Sequence, residues 1–204
     1  MSKYRQKGQR RRHDAALRHT RVLCIASFMA ALSFLIGLIA KTLQGAGPLR
    51  FTLEGLPIVF AGMALGPFYG TLVGVSADLL SCLLAGQAPL PLITIGAGMI
   101  GFIPGVLGRI LFKPKKGDKA VTVSTRLTAA RPRFITLLLC DGMAHLVGSI
   151  IIKTAALMQF YGITAVILWR TPLYVAIILI ETYMLYILLG SQAVRRELER
   201  QIRT

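Results

Sequence analysis

The sequence predicts an all-α membrane protein: a compact bundle of six transmembrane helices with its amino and carboxyl termini both cytoplasmic. Three observations carry that expectation. The chain is 54% hydrophobic over 204 residues, yet it holds 24 Lys and Arg against 8 Asp and Glu. Twenty of those 24 bases fall in three blocks, at residues 1–21, 109–133 and 191–204, with long apolar stretches between them. Basic residues gather in cytoplasmic segments of membrane proteins, so an even number of crossings must separate each pair of blocks. The apolar stretches supply that number, at about 21–43, 54–66, 68–86, 92–112, 134–160 and 172–190, four before the central basic loop and two after it. The same clustering argues against nucleic acid as a partner, which calls for bases interleaved with aromatics on a folded polar surface.

Taken in order, residues 1–20 form a basic cytoplasmic tail whose simplest role is to set topology. The first span, 21–43, is too long for a cleavable signal peptide, and no A-x-A-like site follows it. Its "ASFMA" places Ala26 and Ala30 four apart on one helical face. Small-xxx-small spacing lets helix backbones approach where lipid leaves no hydrophobic effect between apolar helices. The second segment begins oddly, because "LRFTLEGLPIVF" sets Arg50 and Glu54 at its mouth. A crossing needs ~20 helical residues for ~30 Å of hydrocarbon. Residues 54–66 fall short, so the helix either continues back through 50–53 or is sheltered by its neighbours. Gly66-Pro67 makes a tight cytoplasmic turn into the third span. Gly70 and Gly74, and then Gly101 and Gly105, predict close internal packing, while Pro104 predicts a bend in the fourth helix. The 21–190 membrane domain is interrupted by a cytoplasmic loop at about 113–133, and 191–204 form a cytoplasmic tail. Cys24, Cys82 and Cys140 lie within predicted helices without ligand spacing, giving neither a disulfide framework nor a metal site.

Ionisable groups within hydrocarbon cost enough to be treated as functional. Five fall inside the spans away from their ends: Asp78, Asp141, His145, Lys153 and Glu181. Asp141 and His145 are four apart and share the inner part of the fifth helix, as a hydrogen-bonded pair or as a proton relay. Glu181, near the middle of the sixth, could pair with His145, meet a partner or hold a proton. A second group gathers at the outer ends of the helices: Arg50, Phe51, Glu54, Asp78, Gln87, Lys153, Tyr161 and Arg170, with Phe160, Trp169 and Tyr174 at similar depth. Rings, carboxylates and cations together suit a flat heteroaromatic solute with an acidic tail, because carboxylates accept from ring N–H groups and Arg and Lys clamp carboxylates. Arg50 and Glu54 then either face that solute or pair with each other at the interface, and the aromatics could equally form an interfacial belt.

Enzyme motifs are missing: there is no G-x-S-x-G, H-E-x-x-H or Walker-type G-x-x-x-x-G-K-[ST]. Without a nucleotide site the chain cannot itself drive pumping, and no cofactor is implied. Six short helices are few for a transporter built from inverted repeats. A small binding subunit that draws on partners for energy fits better. Two readings of other classes stay beside it, a small membrane enzyme and a scaffold, both using Asp141, His145 and Glu181.

Over nearly all of residues 20–190 the chain resembles the S components of energy-coupling factor (ECF) transporters, and most of all their folate-type group. The resemblance is carried by "LRFTLEGLPIVFAGMALGPFYGTLVGVSADLL" (49–80), "LPLITIGAGMIGFIPGVLGRIL" (90–111), the "FYG…WRTP" region (160–172) and Ala26-xxx-Ala30 as the AxxxA signature. It implies a six-helix vitamin-binding subunit in a prokaryotic plasma membrane. The vitamin would be held near the extracellular side under the loop between helices 1 and 2, with Arg170 matching the arginine after the fifth helix. It also implies a T component that docks on Ala26 and Ala30, and two cytoplasmic ATPases that hydrolyse ATP in the chain's stead. The sequence departs from the folate-type pattern at two places. "GQAPLP" stands where an FPTG-like stretch follows the third helix, and "KTAAL" where an Asn-Thr pair ends the fifth. Folate, a related pterin, another vitamin or a queuosine-like precursor are all compatible with the scaffold.

Overall fold

The computed structural model describes residues 2–44, 51–86, 88–111, 133–161, 166–192 and 194, with side chains from residue 19 onward except at 44, 160, 161 and 166–169. Among the described residues every regular element is helical. They are α1 (Ser2–Gln44), α2 (Gly55–Leu65), α3 (Pro67–Leu84), α4 (Pro91–Leu111), α5 (Phe134–His145), a π-helical stretch (Leu146–Lys153), α6 (Thr154–Tyr161) and α7 (Val166–Gly190). Five segments are long and apolar enough to cross a membrane: His19–Leu43, Pro67–Leu84, Pro91–Leu111, Phe134–Gln159 and Arg170–Gly190. These match the expected spans within a few residues.

The polarity of the fold is inverted relative to a water-soluble bundle. Phe28, Leu35 and Ile39 on α1 and Leu179, Tyr183 and Ile187 on α7 face outward. Ser33, Asp141, His145, Ser149, Thr154, Arg170, Glu181 and Thr182 are buried. An apolar exterior needs no water, and interior polar groups then supply what hydrophobicity cannot, directional contacts between helices.

The sixth apolar segment is different. α2 has 11 residues and begins at Gly55, so it does not continue back through 50–53; Phe51–Leu53 are non-helical. Eleven residues rise only ~16 Å, about half the hydrocarbon thickness. One end of α2 is anchored at the basic end of the bundle, where the Gly66 turn lies against the Arg109 guanidinium and Tyr69 meets His19 at 3.3 Å. Its amino end therefore stops at mid-depth. The short helix is sheltered by its neighbours, with every residue from Pro57 to Ala64 buried.

Glycines make that shelter. A Cβ on Gly70 would stand 2.5 Å from both the Gly101 carbonyl and the Gly62 Cα, so α2, α3 and α4 touch backbone to backbone. At the turn, Gly66 has φ 101°, a left-handed value that glycine takes without strain. Its N–H donates to the Gly62 carbonyl at 3.0 Å, and Pro67 opens α3 where no N–H is needed. α4 runs as one helix from Pro91 to Leu111 through buried Pro104, which packs beside Gly62.

Ala26 and Ala30 are 3% and 6% exposed and belong to the core cluster of Val59, Met63 and Val73. Two expectations are corrected. The last helix begins at Val166 rather than 172 and carries Pro172 inside its first turns. The long fifth segment is not uniformly α-helical, since Leu146–Lys153 widen into π-helix. An i→i+5 turn changes the angular step between side chains, so residues beyond it face differently than an α-helical count implies. Gly148 lets this wide stretch lie against Gly96 and Ile100 of α4. The central loop and most of the carboxyl-terminal tail lie outside the described residues.

The glycine seam gives a direct test. Gly70→Val, which forces a branched side chain into backbone, is expected to destabilise the detergent-solubilised protein by about 2 kcal/mol or more. Gly190→Ala, where nothing lies within 4 Å of the new Cβ, should leave the thermal midpoint unchanged.

Candidate functional site

Where α2 stops, three ionisable side chains meet. His145 closes α5, Asp141 precedes it by one turn, and Glu181 comes from the middle of α7. His145 Nε2 lies 2.7 Å from Glu181 Oε2 and 3.7 Å from Asp141 Oδ1. Asp141 and Glu181 are 0% exposed and His145 3%. The imidazole's other nitrogen, Nδ1, lies 3.1 Å from Ser149 Oγ, and Thr182 Oγ1 donates to Asp141 Oδ2 at 3.0 Å. The remaining oxygens, Asp141 Oδ1 and Glu181 Oε1, have no hydrogen-bond partner among the described residues. Asp141 and His145 thus share a face as their spacing predicts, but the shorter contact of the histidine is to Glu181.

The amino end of α2 seats on this group. A Cβ at Gly55 would stand 2.8 Å from Glu181 Oε2 and from His145 Cε1 and Nε2, so any larger residue there must displace that pair. A helix amino terminus presents unsatisfied N–H groups and a partial positive charge, which suits a neighbouring carboxylate. Leading into it, Glu54 lays its carboxylate against Gly37 of α1, and Ser33 Oγ donates to the Glu54 carbonyl at 2.7 Å. The Glu54 N–H donates back to Thr52 Oγ1 at 3.1 Å. Glu54, expected at the outer mouth of a full-length helix, therefore lies at the mid-depth end of a short one, tied to α1.

Above the amino end of α2, other elements supply polar groups. The π-helical turn places Lys153 with its aliphatic stem across Gly96 of α4. Asp78 Oδ2 accepts from Thr94 Oγ1 at 2.7 Å, linking α3 to α4. On α7, the Arg170 guanidinium lies 5.2 Å from the centroid of the Tyr174 ring and Nη2 donates to the Tyr174 hydroxyl at 3.0 Å. Arg170 is 8% exposed, and its Nε has no partner among the described residues. The Tyr174 ring reaches inward to His145, with centroids 5.9 Å apart and planes tilted by 35°. Arg170 thus binds Tyr174, whose ring lies near that of His145.

Of the eight predicted substrate-binding residues, Arg170 binds Tyr174 and Lys153 lies across Gly96 of α4. Asp78 is bound to Thr94 of α4, and Glu54 adjoins the Gly55 seat. Phe51 is 37% exposed at the start of the descending segment. Arg50, Gln87 and the Tyr161 side chain lie outside the described residues. Sequence reasoning missed Ser33, Gly37 and Gly55 on one side and Ser149, Thr182 and Thr94 on the other. Only Thr182, adjacent to an intramembrane acid, carried a local signal.

Gly55→Ala is expected to lower the thermal midpoint by several degrees, corresponding to about 1–3 kcal/mol, because the methyl group meets both members of the His145–Glu181 pair. Thr182→Val, isosteric but unable to donate to Asp141, should destabilise by about 1–3 kcal/mol through a buried unpaired oxygen. Thermal unfolding in detergent reads both.

The family model for the substrate-specific component of ECF transporters matches residues 21–198 of the chain. No curated protein and no solved structure matches it significantly.

Proposed function

The chain belongs to the substrate-specific component family of ECF transporters, and from that premise we propose that it is the high-affinity vitamin-binding subunit of an ATP-driven uptake system, with folate or a related pterin as cargo. Membership makes it a subunit of transport rather than an enzyme. With five helices able to cross, it is a multi-pass membrane protein. Family membership also implies association with a T component and ATPase subunits. The reading adds a prokaryotic plasma membrane, six helices in the bilayer, cytoplasmic termini and two ATPases to which all ATP hydrolysis falls.

One observation carries the choice of site: the second helix stops at mid-depth. Above Gly55 the outer half of the bundle has no α2. In this reading Asp78 of α3, Lys153 of the π-helical turn and Arg170 with Tyr174 of α7 line the space left there, supported by the Arg170–Tyr174 hydrogen bond and by the Lys153 stem lying across α4. A carboxylate-bearing heterocycle fits such a lining, its acid on Arg170 and Lys153 and its ring on Tyr174. Arg50, Phe51, Gln87 and Tyr161 would close the site from above. The enzyme alternative loses support because Asp141, His145 and Glu181 converge as it requires but are 0–3% exposed rather than set on an open cleft.

Small molecules released by denaturing the purified chain, identified by mass spectrometry and followed by titration with folate, test the reading. One folate or pterin per chain is the expected result. Lys153→Met and Arg170→Gln should then each weaken binding about 10- to 100-fold, as loss of a charged hydrogen bond does. A different vitamin in stoichiometric amount would overturn folate and leave the S component. An empty chain that binds nothing across a vitamin panel would overturn the binding role.

A further inference from the structure

We propose that Asp141, His145 and Glu181 form a binding site for one divalent first-row transition-metal cation, held between α5 and α7 beneath the amino end of α2. The proposal rests on these three side chains and not on the identity of any organic cargo.

Spacing is the first argument. One ligand atom from each residue lies within 4.8 Å of the others. Metal–ligand bonds to imidazole nitrogen and carboxylate oxygen are ~2.0–2.2 Å, which puts neighbouring ligand atoms ~3–3.5 Å apart. The observed separations from His145 Nε2, 2.7 Å to Glu181 and 3.7 Å to Asp141, bracket that range, and rotation of the two carboxylates about their side-chain bonds would bring all three ligand atoms around one ion.

The second argument is the pair of unpartnered oxygens. Asp141 Oδ1 and Glu181 Oε1 are fully enclosed, and neither receives a hydrogen bond from the described residues. Such atoms are costly at this depth. Asp141 Oδ1 is also the oxygen turned toward His145 Nε2. Charge balance agrees: two carboxylates and a neutral imidazole carry −2, which one divalent cation cancels in a medium where net charge is expensive.

The third argument is the surrounding shell. Ser149 Oγ sits on His145 Nδ1 at 3.1 Å, which allows Nδ1–H to donate outward and leaves the Nε2 lone pair for a metal. Thr182 holds the far oxygen of Asp141 at 3.0 Å and so turns Oδ1 inward. Ligating histidines and carboxylates are oriented by partners of this kind. One nitrogen and two oxygens select manganese, iron, cobalt or zinc over calcium and magnesium, which take all-oxygen sets, and over Cu(I), which takes sulfur. Enclosure by Gly55 and α2 implies slow exchange with chelators.

The test uses the full chain in detergent, stripped by prolonged chelation and titrated with Co²⁺. Bound metal per chain and visible d–d absorption are measured. The site predicts one Co²⁺ per chain, competed by Zn²⁺. Asp141→Asn and Glu181→Gln should each weaken Co²⁺ binding by about a hundredfold or more, and Ser149→Ala by about tenfold, at unchanged helical content. Should the acid variants fail to fold, Mn²⁺-loaded wild type supplies the answer by pulsed electron paramagnetic resonance, where coupling to one imidazole nitrogen is expected. Failure of the wild-type chain to bind one ion overturns the proposal. So does unchanged affinity in the two acid variants, which would put the metal on surface histidines such as His19, and so does Mn²⁺ without imidazole coupling.

Discussion

The 2.7 Å contact between His145 and Glu181 is the constraint around which the interior is arranged. It joins the end of α5 to the middle of α7, and the first residue of α2 rests on it. No side chain could occupy position 55 without entering it. In lipid, helices gain little from burying apolar surface against one another, so a directional polar contact at mid-depth has unusual leverage. The π-helical turn begins at the next residue, and the wider step carries Ser149 to the same imidazole and Lys153 toward α4.

From that contact follows the asymmetry between the two halves of the bundle. Toward the basic end the glycines of α2, α3 and α4 close the backbones on one another, and the core is apolar from Val59 to Met63. Toward the other end α2 is missing, and the chain that would have continued it descends as the irregular segment Phe51–Glu54. Irregular backbone at membrane depth is tolerated where protein covers it. Here Ser33 and Gly37 of α1 do so, one by a hydrogen bond and the other by making room for a carboxylate. A binding subunit needs this combination, a rigid half that holds its shape and a half where no helix fills the space beside the polar groups.

Much of this was legible in the sequence. Blocks of Lys and Arg and the lengths of the apolar stretches located five crossing segments within a few residues, because composition over 20 residues is set by the solvent and not by detail. Gly66-Pro67 and the spaced glycines read correctly, since tight turns and backbone contacts leave no substitute for glycine. The Asp141–His145 pairing followed from helical spacing. Pairing with Glu181 stood in the sequence as one of three possibilities, because 36 residues of chain separate it from His145 and only folding decides between them. The π-helical stretch left no pattern, for "LVGSIIIK" is as apolar as any α-helical span. Ala26 and Ala30 show the limit from the other side: small spacing reports close approach but not whose helix approaches.

A double-mutant cycle between His145 and Glu181 measures the central contact most directly. Thermal unfolding in detergent would be followed for the wild type, His145→Gln, Glu181→Gln and the double variant. A coupling of about 1–3 kcal/mol, with the double variant little worse than either single one, is what the account predicts. Strict additivity, each substitution costing as much in the presence of the other as alone, would contradict it, because the two side chains would then not be joined and the seat of α2 would lie elsewhere.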